Sequence, residues 1–267
     1  MKKLLFAGLL GGLLLAWWLP TPALAQSAFD GTWKVDLSKA HLPTKPDVLL
    51  LQNGMYECKT CAPAFSVKAD GTDQKVAGHP YFDLIAIKVI DDHTIQETQK
   101  KDGKVVATSQ TTVAPDGKTA AFEFSDSSDT NADPVTGKGT MTRTAAGPKG
   151  AHAISGSWRT SSVANVSDNG LTVTLKVEDN KLSMTTPTGQ SYNAKMDGTD
   201  APYMGDPGTT SVAVKKLGKN SVEETDKRDG KVISVAKMTI AADGKTMNIA
   251  VNDKLHGTTM SYVAAKQ

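Results

Sequence analysis

The sequence predicts an all-β protein built as two tandem antiparallel up-and-down β-barrel-like domains. The first observation is a duplicated hairpin unit, because residues 101–119 return with the same pattern as residues 228–246. Each copy places a β-branched run between two Asp-Gly pairs, which is a strong hairpin signal. The second observation is that apolar residues recur at a spacing of two, as in strands, rather than at three and four, as in helices.

The duplication extends well beyond the hairpin unit. Residues 67–119 align without gaps on residues 194–246, and 22 of 53 positions are identical. The openings also correspond, with FDGTW at 29–33 and ISGSW at 154–158. A unit of this size, about 120 residues, is long enough to bury a core. We therefore predict a first domain at 26–147, a linker at 148–153 and a second domain at 154–267.

Residues 1–25 have the pattern of a signal peptide. Lys2 and Lys3 precede an apolar stretch from Leu4 to Leu19, and an Ala-Leu-Ala site follows at 23–25. The alternative is an uncleaved anchor, but the stretch is shorter than the roughly 20 residues that span a bilayer. The pattern favours cleavage. We expect a periplasmic or secreted protein.

The charge balance argues against a nucleic-acid partner. The chain has 30 basic and 28 acidic residues, and loss of Lys2 and Lys3 with the signal peptide leaves it neutral. Only Arg143, Arg159 and Arg228 are arginines, whereas nucleic-acid binders present a basic face. An integral membrane protein is also not expected, because the outward strand faces carry charged residues where a membrane barrel needs an apolar band.

Strands can be assigned along both domains. In the first, 36–46 reads as an irregular connection because of its two prolines. Strands of the first domain are expected at 31–35, 48–51, 55–60, 65–68, 82–90, 95–101, 105–113, 119–124 and 139–144. Those of the second are expected after 154, at 171–178, 181–186, 191–196, 211–217 and 222–227, in the repeated hairpin unit, and at 258–264. The pattern corresponds to about eight strands per domain.

About eight meandering strands hide their edges best by closing into a barrel. Such a barrel is filled by side chains or holds one small ligand. A ligand would be small and hydrophobic or amphipathic, and the solid core is the alternative, which the sequence favours for the second domain. The candidate lining residues are Trp33, Ile85, Ile87, Phe122 and Phe124, with Val212, Val214, Ile249 and Val251 as their second-domain equivalents.

Glu97 and Glu224 are the charged pair that both copies keep on the strand face of Ile95 and Val222. Inside a barrel, Glu97 would bind a cationic or hydroxylated ligand. At a strand end it would instead stand in solvent, which the sequence favours. A catalytic carboxylate pair requires two carboxylates facing each other across a cleft, and a single strand cannot supply that arrangement.

The Gly-x-Trp starts at Gly31–Trp33 and Gly156–Trp158 resemble the first strand of lipocalin and calycin-like barrels. In that family the tryptophan closes the barrel bottom beneath an arginine from the far end of the chain. The resemblance assigns this role to Arg143 beside Trp33, whereas Tyr262 stands at about the corresponding place in the second copy. The F-x-G-T-W-K start and the Asp-Gly-Lys hairpins also resemble uncharacterised bacterial secreted proteins, which implies export and a β-fold.

Cys58 and Cys61 form a Cys-x-x-Cys pair, which is the most specific motif in the sequence. A redox pair needs a helix N-terminus, a zinc site needs two more ligands, and haem attachment needs a histidine where Ala62 stands. A local disulfide in an oxidising compartment is the favoured interpretation; metal binding, redox activity and free thiols are the alternatives. His79 lies near an aromatic cluster and is expected in solvent.

The loop at 125–138 carries Asp126, Asp129 and Asp133, but the spacing is not that of a calcium loop. No cofactor or metal is expected. The sequence thus favours an exported, non-catalytic binder of a small, partly apolar molecule. The alternatives are an envelope structural or protein-interaction module, whose protein partner is unknown, and a thiol-disulfide or metal enzyme at Cys58 and Cys61.

Overall fold

The computed structural model describes residues 27–128 and 133–267. The predicted signal peptide at 1–25 and Asp129 lie outside these residues. The described chain is all-β, and its one helical segment is a short 3₁₀ turn at Asp168–Gly170. The predicted fold class is confirmed, because the strands form two ten-stranded antiparallel barrel-like sheets.

The first repeat contributes ten strands. They are β1 (Gly31–His41), β2 (Asp47–Gln52), β3 (Met55–Cys58), β4 (Phe65–Lys68), β5 (Gln74–Lys75), β6 (Leu84–Val89), β7 (Thr94–Lys101), β8 (Lys104–Val113), β9 (Thr119–Asp126) and β10 (Val135–Ala146). The second repeat contributes the same number. They are β11 (Gly156–Ala164), β12 (Thr172–Glu178), β13 (Lys181–Thr185), β14 (Ser191–Lys195), β15 (Asp197–Met204), β16 (Ser211–Gly218), β17 (Ser221–Arg228), β18 (Lys231–Ile240), β19 (Thr246–Asp253) and β20 (Thr258–Lys266).

One strand of each repeat, β5 or β15, is missing from the predicted strands. The two-residue β5 follows the Asp-Gly pair at Asp70, and β15 begins at the pair at Asp197, so a turn signal hides both strands. The first strand is also longer than expected. It continues to His41 through the segment that we interpreted as irregular.

One sheet closes completely and the other does not. The closed barrel runs β1-β12-β13-β14-β15-β16-β17-β18-β19-β20, and β20 pairs back onto β1. The open barrel runs β4-β3-β2-β11-β10-β9-β8-β7-β6-β5. Its end strands β4 and β5 are not paired with each other, whereas the corresponding β14 and β15 pair through Tyr192 and Tyr203.

The two repeats exchange their first strands. Strand β1 pairs with β12 and β20 in the closed barrel, while β11 lies between β2 and β10 in the open barrel. The connection from β1 to β2 contains Pro43 and Pro46. Residues before proline avoid the α-region, so this connection stays extended and crosses to the other barrel instead of turning back as a hairpin.

The exchange corrects the expected pairing of Arg143 with Trp33. Arg143 is paired with Trp158 across β10 and β11, and its guanidinium lies 4.1 Å from the centre of the Trp158 ring. The ammonium of Lys266 lies over Trp33 instead, 5.3 Å from the ring centre. The far-end cation over a tryptophan is therefore present in both barrels, but each barrel takes its tryptophan from the other repeat.

The first Asp-Gly turn of each hairpin unit has the conformation expected of a tight hairpin. Asp102 and Gly103 have φ of 50° and 77°, and Asp229 and Gly230 have φ of 50° and 76°. Two consecutive positive φ values define the type I′ turn that matches strand twist. In the second turn of each unit only the glycine has a positive φ, so that turn is of a different type.

Each barrel has its own apolar core. Trp33 and Leu175 are among the buried residues of the closed barrel, which also include four methionines. Trp158, Ile85 and Ile87 belong to the core of the open barrel. Both tryptophan rings are fully buried and donate their indole N–H to a backbone carbonyl four residues earlier.

Candidate ligand-binding site

The open barrel contains an inner pocket between its middle strands. Glu97 of β7 lies opposite Ser109 of β8, which lies opposite Phe124 of β9. Directly opposed residues of antiparallel strands project from the same face, so these three side chains converge inside the barrel. The pocket has a volume of about 200 Å³. Its lining residues are Glu97, Gln99, Ala107, Thr108, Ser109, Phe124, Ser125 and Asp126.

Two stacked phenylalanines form one wall of this interior. The rings of Phe122 and Phe124 have centroids 6.4 Å apart, and both side chains are half-buried. They lie over Gly139 and Gly137 of β10, where a Cβ atom would approach the rings to 2.3 and 2.7 Å. The absence of a side chain at these glycines is therefore what leaves room for the rings. The predicted strand began at Gly139 and left Gly137 in the loop, so the pairing of the two glycines on β10 became visible only in the structure.

Glu97 points into the barrel rather than into solvent, which corrects the solvated position that the sequence favoured. Gln99 Nε2 donates a hydrogen bond to Glu97 Oε1 at 2.6 Å. Burial raises the pKa of Glu97, and the Gln99 hydrogen bond partly opposes that effect. Within residues 27–128 and 133–267, no second donor reaches the carboxylate, so its other oxygen remains available to the pocket.

The corresponding glutamate of the closed barrel has a different set of neighbours. Glu224 accepts a hydrogen bond from the hydroxyl of Tyr192, and Asp226 stands at the position of Gln99. Burial, followed by the nearby charges of Glu224 and Asp206, raises the pKa of Asp226 to about 8. Asp226 Oδ1 is buried without a hydrogen-bond partner. Phe65 occupies the aligned position of Tyr192 in the first repeat, so the hydroxyl that Tyr192 donates has no counterpart at that position.

The inner pocket meets a second cavity that lies between the two barrels. This inter-barrel cleft has a volume of about 380 Å³ and shares Phe124 and Asp126 with the inner pocket. Its other lining residues are Ser127, Asp133, Val135, Asn169, Gly170, Thr172, Thr186, Thr188, Gln190, Tyr203 and Asp206. No lysine, arginine or histidine is among the described residues that line either cavity.

A depression of about 310 Å³ also lies over the outer side of the same strands. Its rim includes Gln96, Gln110, Glu123 and Lys138. Glu123 and Lys138 face each other there with 3.8 Å between their charged atoms. Because these exposed charges already balance and the surface is open to water, the inner pocket is the better candidate site.

The gap between β4 and β5 is covered by an aromatic loop. His79 lies between Phe65 and Phe82, with ring centroids 5.6 and 4.7 Å away. Burial lowers the pKa of His79, and its Nε2 has no hydrogen-bond partner. The expectation of a solvent-exposed histidine is therefore wrong, because ring stacking withdraws the imidazole from water.

The predicted disulfide is confirmed, since Cys58 and Cys61 are bonded at the turn between β3 and β4. The bond holds the turn that presents Phe65 to His79. No group of three or more potential metal-ligating residues occurs in the described parts of the chain. Both cysteine sulfurs are engaged in the disulfide, so neither is available as a metal ligand while that bond is intact.

The predicted lining residues separate into three groups. Phe124 and Glu97 line the inner pocket, and Phe122 stacks on Phe124 without lining it. Ile85 and Ile87 are fully buried and fill the core beneath it. Trp33 is not part of this interior, because the strand exchange carries it into the closed barrel. Of the second-domain equivalents, Val212 and Val214 are buried and Ile249 packs against the same core.

The sequence matches no protein-family model, and no curated protein is significantly similar to it. Among the described residues, no helix has the length and apolar character needed to cross a bilayer.

Proposed function

We propose that the protein is an exported, non-catalytic binder of a small, partly apolar molecule held in the inner pocket of the open barrel. The observation that carries this proposal is the free oxygen of Glu97 beside the ring of Phe124 in a cavity of about 200 Å³. Glu97 is half-buried, and its second oxygen is open to the pocket, where a ligand can pair with it. An aromatic wall with a few polar groups is typical of small-molecule sites.

Export is supported by the disulfide together with the signal-peptide pattern at 1–25. Disulfides persist in oxidising compartments and are rare in the cytosol. The barrel shape and the cation over each tryptophan support the lipocalin-like interpretation. In that architecture the interior holds one small ligand, which agrees with the proposed role of the inner pocket.

The test is mass spectrometry of small molecules extracted from the protein after purification from its own host. We expect one compound to recur in stoichiometric amount. The variant Ser109→Leu fills the inner pocket and should be recovered without it, whereas Ala236→Leu, at the equivalent position of the closed barrel, should retain it. Repeated empty extracts from the unaltered protein, or equal recovery from Ser109→Leu, would contradict the proposal.

A further inference from the structure

We propose that the molecule bound by the inner pocket is a small organic cation, a protonated amine that pairs with Glu97 while its apolar part packs on Phe124. This inference rests on the proposed binding function and specifies the chemical class of the ligand. Three features of the structure carry it: the sign of the charges around the two cavities, the unmatched oxygen of Glu97 and the size of the pocket.

The ionisable side chains that line the pocket and the cleft are acids and a phenol. Glu97 and Asp126 belong to the pocket, and Asp133 and Asp206 belong to the cleft, which also contains the phenol of Tyr203. An anionic ligand would meet like charges and no cation in either cavity. Opposite charge within a few ångströms favours the ionised form of a carboxylate, so a cation is the species that these walls stabilise.

Comparison of the two repeats shows how the hydrogen-bond partners of Glu97 differ from those of Glu224. Glu224 receives the hydroxyl of Tyr192 and lies beside Asp226. Glu97 has Phe65 where that tyrosine would stand, and it receives only the amide of Gln99. Burial, and then the charge of Glu97, raises the pKa of the Tyr56 phenol, but among the described residues this phenol donates no hydrogen bond to the carboxylate. An ammonium group carries up to three donors and a full positive charge, so it can supply what the hydroxyl supplies to Glu224.

The pocket also limits the size and shape of the cation. A volume of about 200 Å³ corresponds to about seven water molecules at ~30 Å³ each. It lies below the roughly 300 Å³ at which sites for drug-sized ligands begin. The ring of Phe124 lies against Gly137 and also lines the pocket. An aromatic face attracts a cation as well as an apolar group, which suits an amine attached to one ring or a short chain.

Calorimetric titration of the disulfide-intact full-length exported protein with three matched probes tests this inference. Benzylamine carries the cation, benzyl alcohol is its neutral counterpart, and benzoate is its anionic counterpart. We expect benzylamine to bind at least tenfold more tightly than benzyl alcohol, and benzoate not to bind. Glu97→Gln should weaken benzylamine binding at least tenfold, whereas the matched control Glu224→Gln should leave it unchanged.

A second variant keeps the test valid if Glu97→Gln folds poorly. Phe65→Tyr introduces at the aligned position the hydroxyl that Tyr192 gives to Glu224, and we expect it to weaken benzylamine binding by internal competition for Glu97. Equal binding of benzylamine and benzyl alcohol, or unchanged benzylamine binding in Glu97→Gln, would overturn the cation while leaving a small-molecule pocket in place. Absence of binding by all three probes, together with empty extracts from the host, would overturn both the cation and the binding function.

Discussion

The closed barrel and the open barrel use the same ten strand positions but differ at one seam and at one glutamate. In the closed barrel, β14 pairs with β15 through Tyr192 and Tyr203, and the same Tyr192 donates to Glu224. In the open barrel, β4 and β5 are unpaired, and Phe65 replaces the tyrosine. Tyr192 therefore takes part both in the strand pairing that closes its barrel and in the hydrogen bond to Glu224, whereas the aligned Phe65 does neither. This difference is the reason that our proposal assigns the ligand to the open barrel and not to the closed one.

The largest expected effect tests which barrel each tryptophan supports. Trp33→Ala should lower the free energy of unfolding by about 3–5 kcal/mol, because it leaves a large cavity in a packed core. Hydrogen exchange should show the loss of protection in β12 and β20, although Trp33 belongs to the first repeat. Trp158→Ala is the matched variant and should affect β2 and β10. Loss of protection confined to β6–β9 in Trp33→Ala would contradict the strand exchange.

The next effect is the pH dependence that Asp226 adds in the closed barrel. The pKa of Asp226 is about 8 in the folded protein and about 3.9 in an unfolded chain. The folded state therefore retains a proton that the unfolded chain releases. The stability that this proton contributes is complete below about pH 4 and is lost as pH rises through 8, with a slope of at most about 1.4 kcal/mol per pH unit.

Asp226→Asn tests this dependence because it gives the closed barrel the amide that Gln99 provides in the open barrel. Urea unfolding between pH 4 and pH 8.5 should show a shallower decline for the variant than for the unaltered protein. The variant should be the more stable of the two at pH 8.5. Parallel curves for the two proteins would show that Asp226 titrates normally.

A smaller effect distinguishes a filled interior from a hollow one. Ala236→Leu adds three carbon atoms to the closed barrel beside Glu224 and should cost about 1–3 kcal/mol through overpacking. Ser109→Leu, at the equivalent position, projects into the inner pocket and should change the free energy of unfolding by less than about 1 kcal/mol. Equal destabilisation in urea unfolding would show that the two interiors are equally filled.

The most local effect concerns the disulfide. Replacement of Cys58 and Cys61 by serine should cost about 2 kcal/mol, the chain-entropy value for so short a loop. Hydrogen exchange should rise at 58–65 and at 76–82, because that turn holds Phe65 against His79. The aligned Thr185 and Thr188 of the closed barrel provide the control region, where exchange should not change. A uniform rise in both barrels would mean that the bond supports the whole fold instead of the open seam.

Much of this architecture can be predicted from the sequence. The alternation of apolar residues and the Asp-Gly pairs locate nearly all strands, and the duplication predicts two similar barrels. The strand exchange cannot be predicted, because FDGTW and ISGSW are so alike that either strand satisfies either barrel. The inner pocket was only partly foreseen. Phe122, Phe124 and Glu97 were identified from their strand face, but Gln99 and the paired glycines of β10 matter only once the register of four strands is known.

The exchange also has a consequence for how the polypeptide is made. Strand β1 is synthesised first and β20 last, yet they are neighbours in the closed barrel. At about 5–20 residues per second, β1 emerges roughly ten seconds before its other neighbour β12 exists. The open barrel likewise lacks β11 until the second repeat has begun. Neither core can therefore be completed while only the first repeat has been synthesised.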